Sequence, residues 1–175
     1  MSREKFIAVA LAAAIGVCSV GLRAAEAPTV ASIAPRAMEW AERVSTGALQ
    51  SGAMPTVQQQ AIARRSGVRN PASIRVLVVD EIPLPEEPTL KKAAAKVGLA
   101  QSSAAGMTLG YAVLVHRGYE NDVRLLSHEF RHVAQYENAG GIRQFLAVHL
   151  PHLLEFGYED SPFEVDARAH EIHGL

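Results

Sequence analysis

Apolar positions recur along this chain with two periods, one near 3.6 residues and one that is strand-like. Between residues 34 and 53, Ala37, Met38, Ala41, Val44 and Leu49 follow a helical stripe that Pro55 ends, and Thr56 caps a short second helix to Arg65. Ile74–Val79 (IRVLVV) is β-branched and bounded by Pro71 and Pro83, which predicts a strand. Residues 81–88, with three prolines and three glutamates, read as an exposed loop. The spacing then predicts a helix over 90–100, a second strand over 107–116 (MTLGYAVLVH), and helices over 122–139, 142–156 and 162–171. Gly140-Gly141 stops the first of those three helices, and Pro151 predicts a break or the start of a new turn within the second. The order implies an α+β chain, mainly helical, with a small sheet preceding a helical C-terminal half.

At 175 residues the chain has the size of one ordinary domain, and its 49% apolar content is too high for a disordered segment. The formal net charge is −1 and basic residues cluster no further than Arg64-Arg65 and Lys91-Lys92, which argues against a nucleic-acid surface. Arg3 and Lys5 precede an apolar run from Phe6 to Leu22, with small residues around Ala25. Residues 1–25 therefore read as a secretory signal peptide or, uncleaved, as an N-terminal membrane anchor. No other membrane span is expected, and the protein is expected to be exported, periplasmic or secreted. The sole cysteine, Cys18, lies inside that run, so neither an intrachain disulfide nor a cysteine-ligated metal site is available. Residues 26–70 form a helical N-terminal segment in this reading, and 71–175 carry the chemistry.

That chemistry concentrates at His128-Glu129-Phe130-Arg131-His132, an H-E-x-x-H sequence on a helix whose Leu126, Phe130, Val133 and Ala134 make the buried stripe. Four residues turn a helix by about 400°, so His128 and His132 lie on one face, one turn apart, where both imidazoles can reach one zinc ion. Glu129 is then the general base for metal-activated water. A further H-x-x-G-x-x-H type of extension is excluded because Gln135 and Asn138 stand where Gly and His are needed. The third ligand is instead expected from Pro162-Phe-Glu-Val-Asp166, with Glu164 chosen and Asp166 in reserve, or acting as partner to a His or to Arg168.

Ser127-His-Glu-Phe-Arg-His-Val-Ala-Gln-Tyr136, followed by Gly157-Tyr158 and Pro-Phe-Glu-Val-Asp-Ala-Arg168, resembles small bacterial gluzincin-type zinc metallopeptidases and is similar to DUF4157-like proteins. The resemblance covers about residues 107–170. It implies a zincin-like domain over 71–175, with Zn²⁺ held by His128, His132 and Glu164, Glu129 as base, and a peptide or protein substrate lying along the strand before the motif helix. Such a mechanism needs an oxyanion donor. Tyr158, Tyr111, Tyr136 and His149 are candidates by type, and Tyr158 is preferred because it lies in the loop leading to Glu164. His149 and His152 are expected on an exposed helix face, Arg131 and Gln135 beside neighbouring carboxylates, and His170 and His173 in a solvated tail that could alternatively bring a fourth ligand. A non-catalytic, zinc-stabilised binding or accessory module is the alternative function.

Overall fold

The computed structural model describes residues 29–98 and 104–173. The signal-like stretch with Cys18, and the last residues of the helix predicted over 90–100, lie outside them. In chain order the elements are α1 (Val30–Ser51), α2 (Val57–Arg65), a 3₁₀ turn at Pro71–Ser73, β1 (Arg75–Val79), α3 (Pro88–Lys96), β2 (Gly106–Leu109), β3 (Ala112–His116), α4 (Val123–Ala139), α5 (Ile142–Phe156) and α6 (Pro162–Ala169). The protein is mainly helical with one small sheet, an α+β chain. None of the described helices is long and apolar enough to cross a membrane.

The sheet has the order β1-β3-β2, with β1 parallel and β2 antiparallel to β3. The apolar run 107–116, predicted as one strand, is therefore a hairpin. Gly110, at φ +67°, supplies the left-handed residue that a type II′ two-residue turn needs in its first position. Strand alternation sends the two faces of β3 to different layers. Val113 and Val115 pack with Ile62 and Ala63 of α2 and with Leu126, Phe130, Val133 and Ala134 of α4. Ala112 and Leu114 pack with Ala48 of α1. The central strand is thus covered on both faces, and the helices of the N-terminal segment share its core. Phe130 is fully buried there, and its truncation to alanine would cost about 3–5 kcal/mol.

The two sheet edges differ. Ala53, just past α1, exchanges two backbone hydrogen bonds of 2.9 Å with Val76 and so covers the outer edge of β1. On the other side, His116 N–H donates to Ala105 C=O at 2.8 Å. Antiparallel alternation from that pair turns the backbone groups of Gly106 and Thr108 towards the outer edge of β2.

Asp122 caps α4 by accepting from Leu125 N–H at 3.0 Å, and Gly140-Gly141 ends the helix as expected. Pro151 does not break α5, which runs unbroken from Ile142 to Phe156. The missing N–H leaves only the carbonyl of Ala147 without its helical donor, and both residues are on the exposed face where water can serve. The last helix is shorter than predicted, ending at Ala169, so that Glu171 and Ile172 turn back onto α4.

Candidate metal centre

Helix α4 presents His128 and His132 one turn apart, and α6 brings Glu164, in its first turn after Pro162, across from them. Nε2 of His128 is 3.2 Å from Nε2 of His132 and 3.4 Å from Glu164 Oε2, and His132 Nε2 is 3.4 Å from Glu164 Oε1. Four ligands placed tetrahedrally about 2.0–2.1 Å from a zinc-sized ion are about 3.3–3.4 Å apart. The two imidazoles are at that spacing from each other and each from one oxygen of Glu164, and this buried group could hold a metal ion. Glu164 is 3% exposed, yet its Oε2 has no hydrogen-bond partner, an orphaned anionic oxygen that a cation would satisfy.

The outward nitrogens of both imidazoles are tied. His132 Nδ1 lies 2.8 Å from Gln135 Oε1, and His128 Nδ1 lies 3.2 Å from Glu171 Oε1. The orientation of Gln135 is forced, because its amide nitrogen donates to Phe163 C=O at 2.9 Å and to Asp166 Oδ2 at 2.7 Å, both of which can only accept. Each Nδ1 must then carry hydrogen, which leaves each Nε2 lone pair for a metal. Asp166 stands outside the donor group: Arg131, rather than Arg168, holds it through two bonds of 2.7 and 3.0 Å, and a histidine, His170, lies against it with Nδ1 3.4 Å from Oδ1. Arg131 and Gln135 do engage a nearby carboxylate and backbone group, as expected.

Charge in the group follows from this packing. Burial works against ionising Glu164, but the two imidazoles facing it outweigh that and hold its carboxyl well below the usual range. Burial likewise opposes a charged His132, yet Glu164 and Glu129 raise it to about 9. Without a metal the site holds a proton where a cation would sit, and metal binding would release it.

Glu129 is 5% exposed, and burial pushes its carboxyl upward despite the nearby histidines. Thr108 Oγ lies 2.7 Å from Glu129 Oε2 and 3.0 Å from the Glu129 carbonyl. Two residues earlier on the same strand, β2 approaches so closely that a Cβ at Gly106 would lie 2.5 Å from Glu129 Oε1. Only glycine leaves room for that carboxylate.

A cavity of about 460 Å³ opens beside the group, and Glu129, His132 and Glu164 contribute to its wall together with Tyr136, His149 and Tyr158. Burial and the neighbouring Glu164 and Glu129 push the Tyr158 hydroxyl up, so it remains a proton donor at neutral pH. Tyr111 is elsewhere, donating to Glu137 Oε1 at 2.8 Å. His149 is not on an exposed face: it is buried, with ring centroids 5.0 Å from Phe145 and 5.1 Å from Phe163. Burial lowers it to about 4, leaving a neutral imidazole. His152 is half-buried, with an unpartnered Nδ1. His170 and His173 are exposed and stand outside the donor group found among the described residues. The tail instead delivers Glu171, also paired with Arg124, and Ile172, whose N–H donates to Ser127 Oγ at 2.8 Å.

Thr108, Gly106 and Glu171 were not legible as site residues. The first two depend on where a hairpin passes α4, and the third on α6 stopping two residues before it. No family model, curated protein or solved structure matches the chain.

Proposed function

We propose that the protein is a zinc-dependent hydrolase of amide bonds in peptides or proteins, with a zincin-like arrangement of strand edge, motif helix and ligand helix. The observation that carries the reading is the convergence of His128 Nε2 and His132 Nε2, 3.2 Å apart, on the Glu164 carboxylate, one oxygen 3.4 Å from each, with both Nδ1 atoms already engaged. Two neutral imidazoles and a carboxylate suit zinc, and three protein ligands leave a position open. Such an ion supplies Lewis acidity to a carbonyl and acidifies water.

The chain's own residues supply the remainder. Glu129 takes the proton from the attacking water and returns it to the leaving nitrogen as the C–N bond breaks. Its burial raises its basicity above that of an ordinary carboxylate. Thr108 and the absence of a side chain at Gly106 fix its carboxylate. Tyr158, kept protonated, is the donor for the developing oxyanion. Among the described residues, no strand pairs with the outer edge of β2, where the backbone groups of Gly106 and Thr108 point, and this supports pairing with an extended peptide. The basic start and apolar run of residues 3–22 support action outside the cytoplasm.

Hydrolysis of a peptide library by the zinc-loaded protein, compared with Glu129→Gln, tests this reading. The variant should keep its metal and lose at least about 100-fold in rate. Equal rates in the two proteins would refute Glu129 as base.

A further inference from the structure

The cavity beside the donor group has room for more than one side chain. A cavity of about 150 Å³ lined by Leu, Ile and Phe holds a benzene ring; this one has about 460 Å³. A single amino-acid side chain would leave most of it empty. Away from the donor group its walls are apolar helix faces: Ala37 and Trp40 of α1, Leu90 and Ala93 of α3, Leu150 and Leu153 of α5. The backbone groups of these helix interiors are bonded within the helices, so a peptide main chain entering between them would lose its hydrogen bonds to water without replacement. An occupant without polar atoms along its length meets no such penalty. The exposed lining residues Asp80, Glu81 and Leu84 mark the mouth, whereas Glu129, His132 and Glu164 lie on the wall of the same space.

We infer that this cavity receives the hydrocarbon chain of an N-acylated peptide, and that the carbonyl ending that chain is the one presented to His128, His132 and Glu164. The inference rests on the hydrolase reading above and narrows its substrate. Water oxygen adds to the acyl carbon, the C–N bond breaks, and the nitrogen leaves with a proton, so that a fatty acid and a free amine are formed. The peptide portion then lies past the apolar walls, beside Gly106 and Thr108 of β2, which line the same cavity next to Glu129.

Trp40 is the sole tryptophan and lines the cavity, so its emission reports occupancy directly. The probes are acyl-Gly-Gly amides with chains of 2, 6, 8, 10 and 12 carbons, titrated into the zinc-loaded full chain carrying Glu129→Gln. The expected result is a saturable blue shift of Trp40, with affinity rising about fourfold per methylene until the cavity is filled. Ala37→Phe and, separately, Ala93→Phe should weaken the 12-carbon probe at least tenfold while zinc content stays the same. Affinity independent of chain length overturns the proposal, as does a 12-carbon probe unaffected by either filling variant that retains zinc. In the wild-type protein, cleavage of the 2- and 12-carbon amides at equal kcat/KM also overturns it and leaves the hydrolase reading intact. Chain-length-dependent binding without cleavage of any amide removes the hydrolase reading instead and supports the chain site alone.

Discussion

Gln135 Oε1 lies 2.8 Å from His132 Nδ1, and the far end of the same amide is locked by Phe163 and Asp166. A histidine of the donor group is thereby set in one tautomer by a residue three positions along its own helix, which is in turn held by the helix that carries Glu164. Loss of this brace should loosen the site without emptying the core. Gln135→Leu is expected to bind zinc about 10- to 100-fold more weakly, measured by competition with a chelating dye. Unchanged affinity would mean that the tautomer is set in some other way.

Gly106 faces Glu129 with no space for a methyl group. Gly106→Ala should push the carboxylate aside, lowering kcat at least about tenfold with zinc content unchanged, and should destabilise the fold by about 1–3 kcal/mol. Activity assays and urea unfolding on one preparation check both effects. A fully active variant would show that Glu129 works from another position.

These two residues mark what could and could not be read from the chain. The H-E-x-x-H helix was legible because its ligand spacing and its buried stripe of Leu126, Phe130 and Val133 repeat with the same helical period. Glu164 was legible because Pro162 announced a helix start. Gly106 was not, since its role comes from a hairpin turn hidden inside one apolar run, and strand contacts across the sheet leave no local spacing to find. His149 was misplaced for a related reason: its exposure depends on Phe163 of α6 closing over α5, a tertiary contact that polarity along α5 does not encode.

The same burial makes His149 a liability in acid. Its pKa is lowered from 6.5 to about 4 in the folded protein, so the unfolded chain binds the extra proton first as pH falls between those values. Stability should therefore decline over that window, and His149→Phe should be more resistant by about 2–3 kcal/mol at pH 4.5 than at pH 7, relative to the parent. Urea unfolding of the metal-free proteins at the two pH values measures the difference. Parallel losses in parent and variant would place the acid sensitivity in other groups.

Glu171 reaches His128 from beyond the end of α6 and keeps Arg124 as a second partner. Glu171→Gln retains an acceptor for His128 Nδ1 and should keep most of the zinc affinity. Glu171→Ala should lose about tenfold. Equal behaviour of the two variants, in the same dye competition, would show that the tail does not orient the ligand.

The most direct measurement is zinc stoichiometry by elemental analysis of the purified protein after zinc loading and removal of free ion, beside His128→Ala, His132→Ala and Glu164→Ala. One zinc per chain in the parent is expected, with each substitution lowering retention and the chelated parent melting below the loaded one. A parent that retains no zinc, or one whose zinc survives all three substitutions, would contradict a metal centre at these residues.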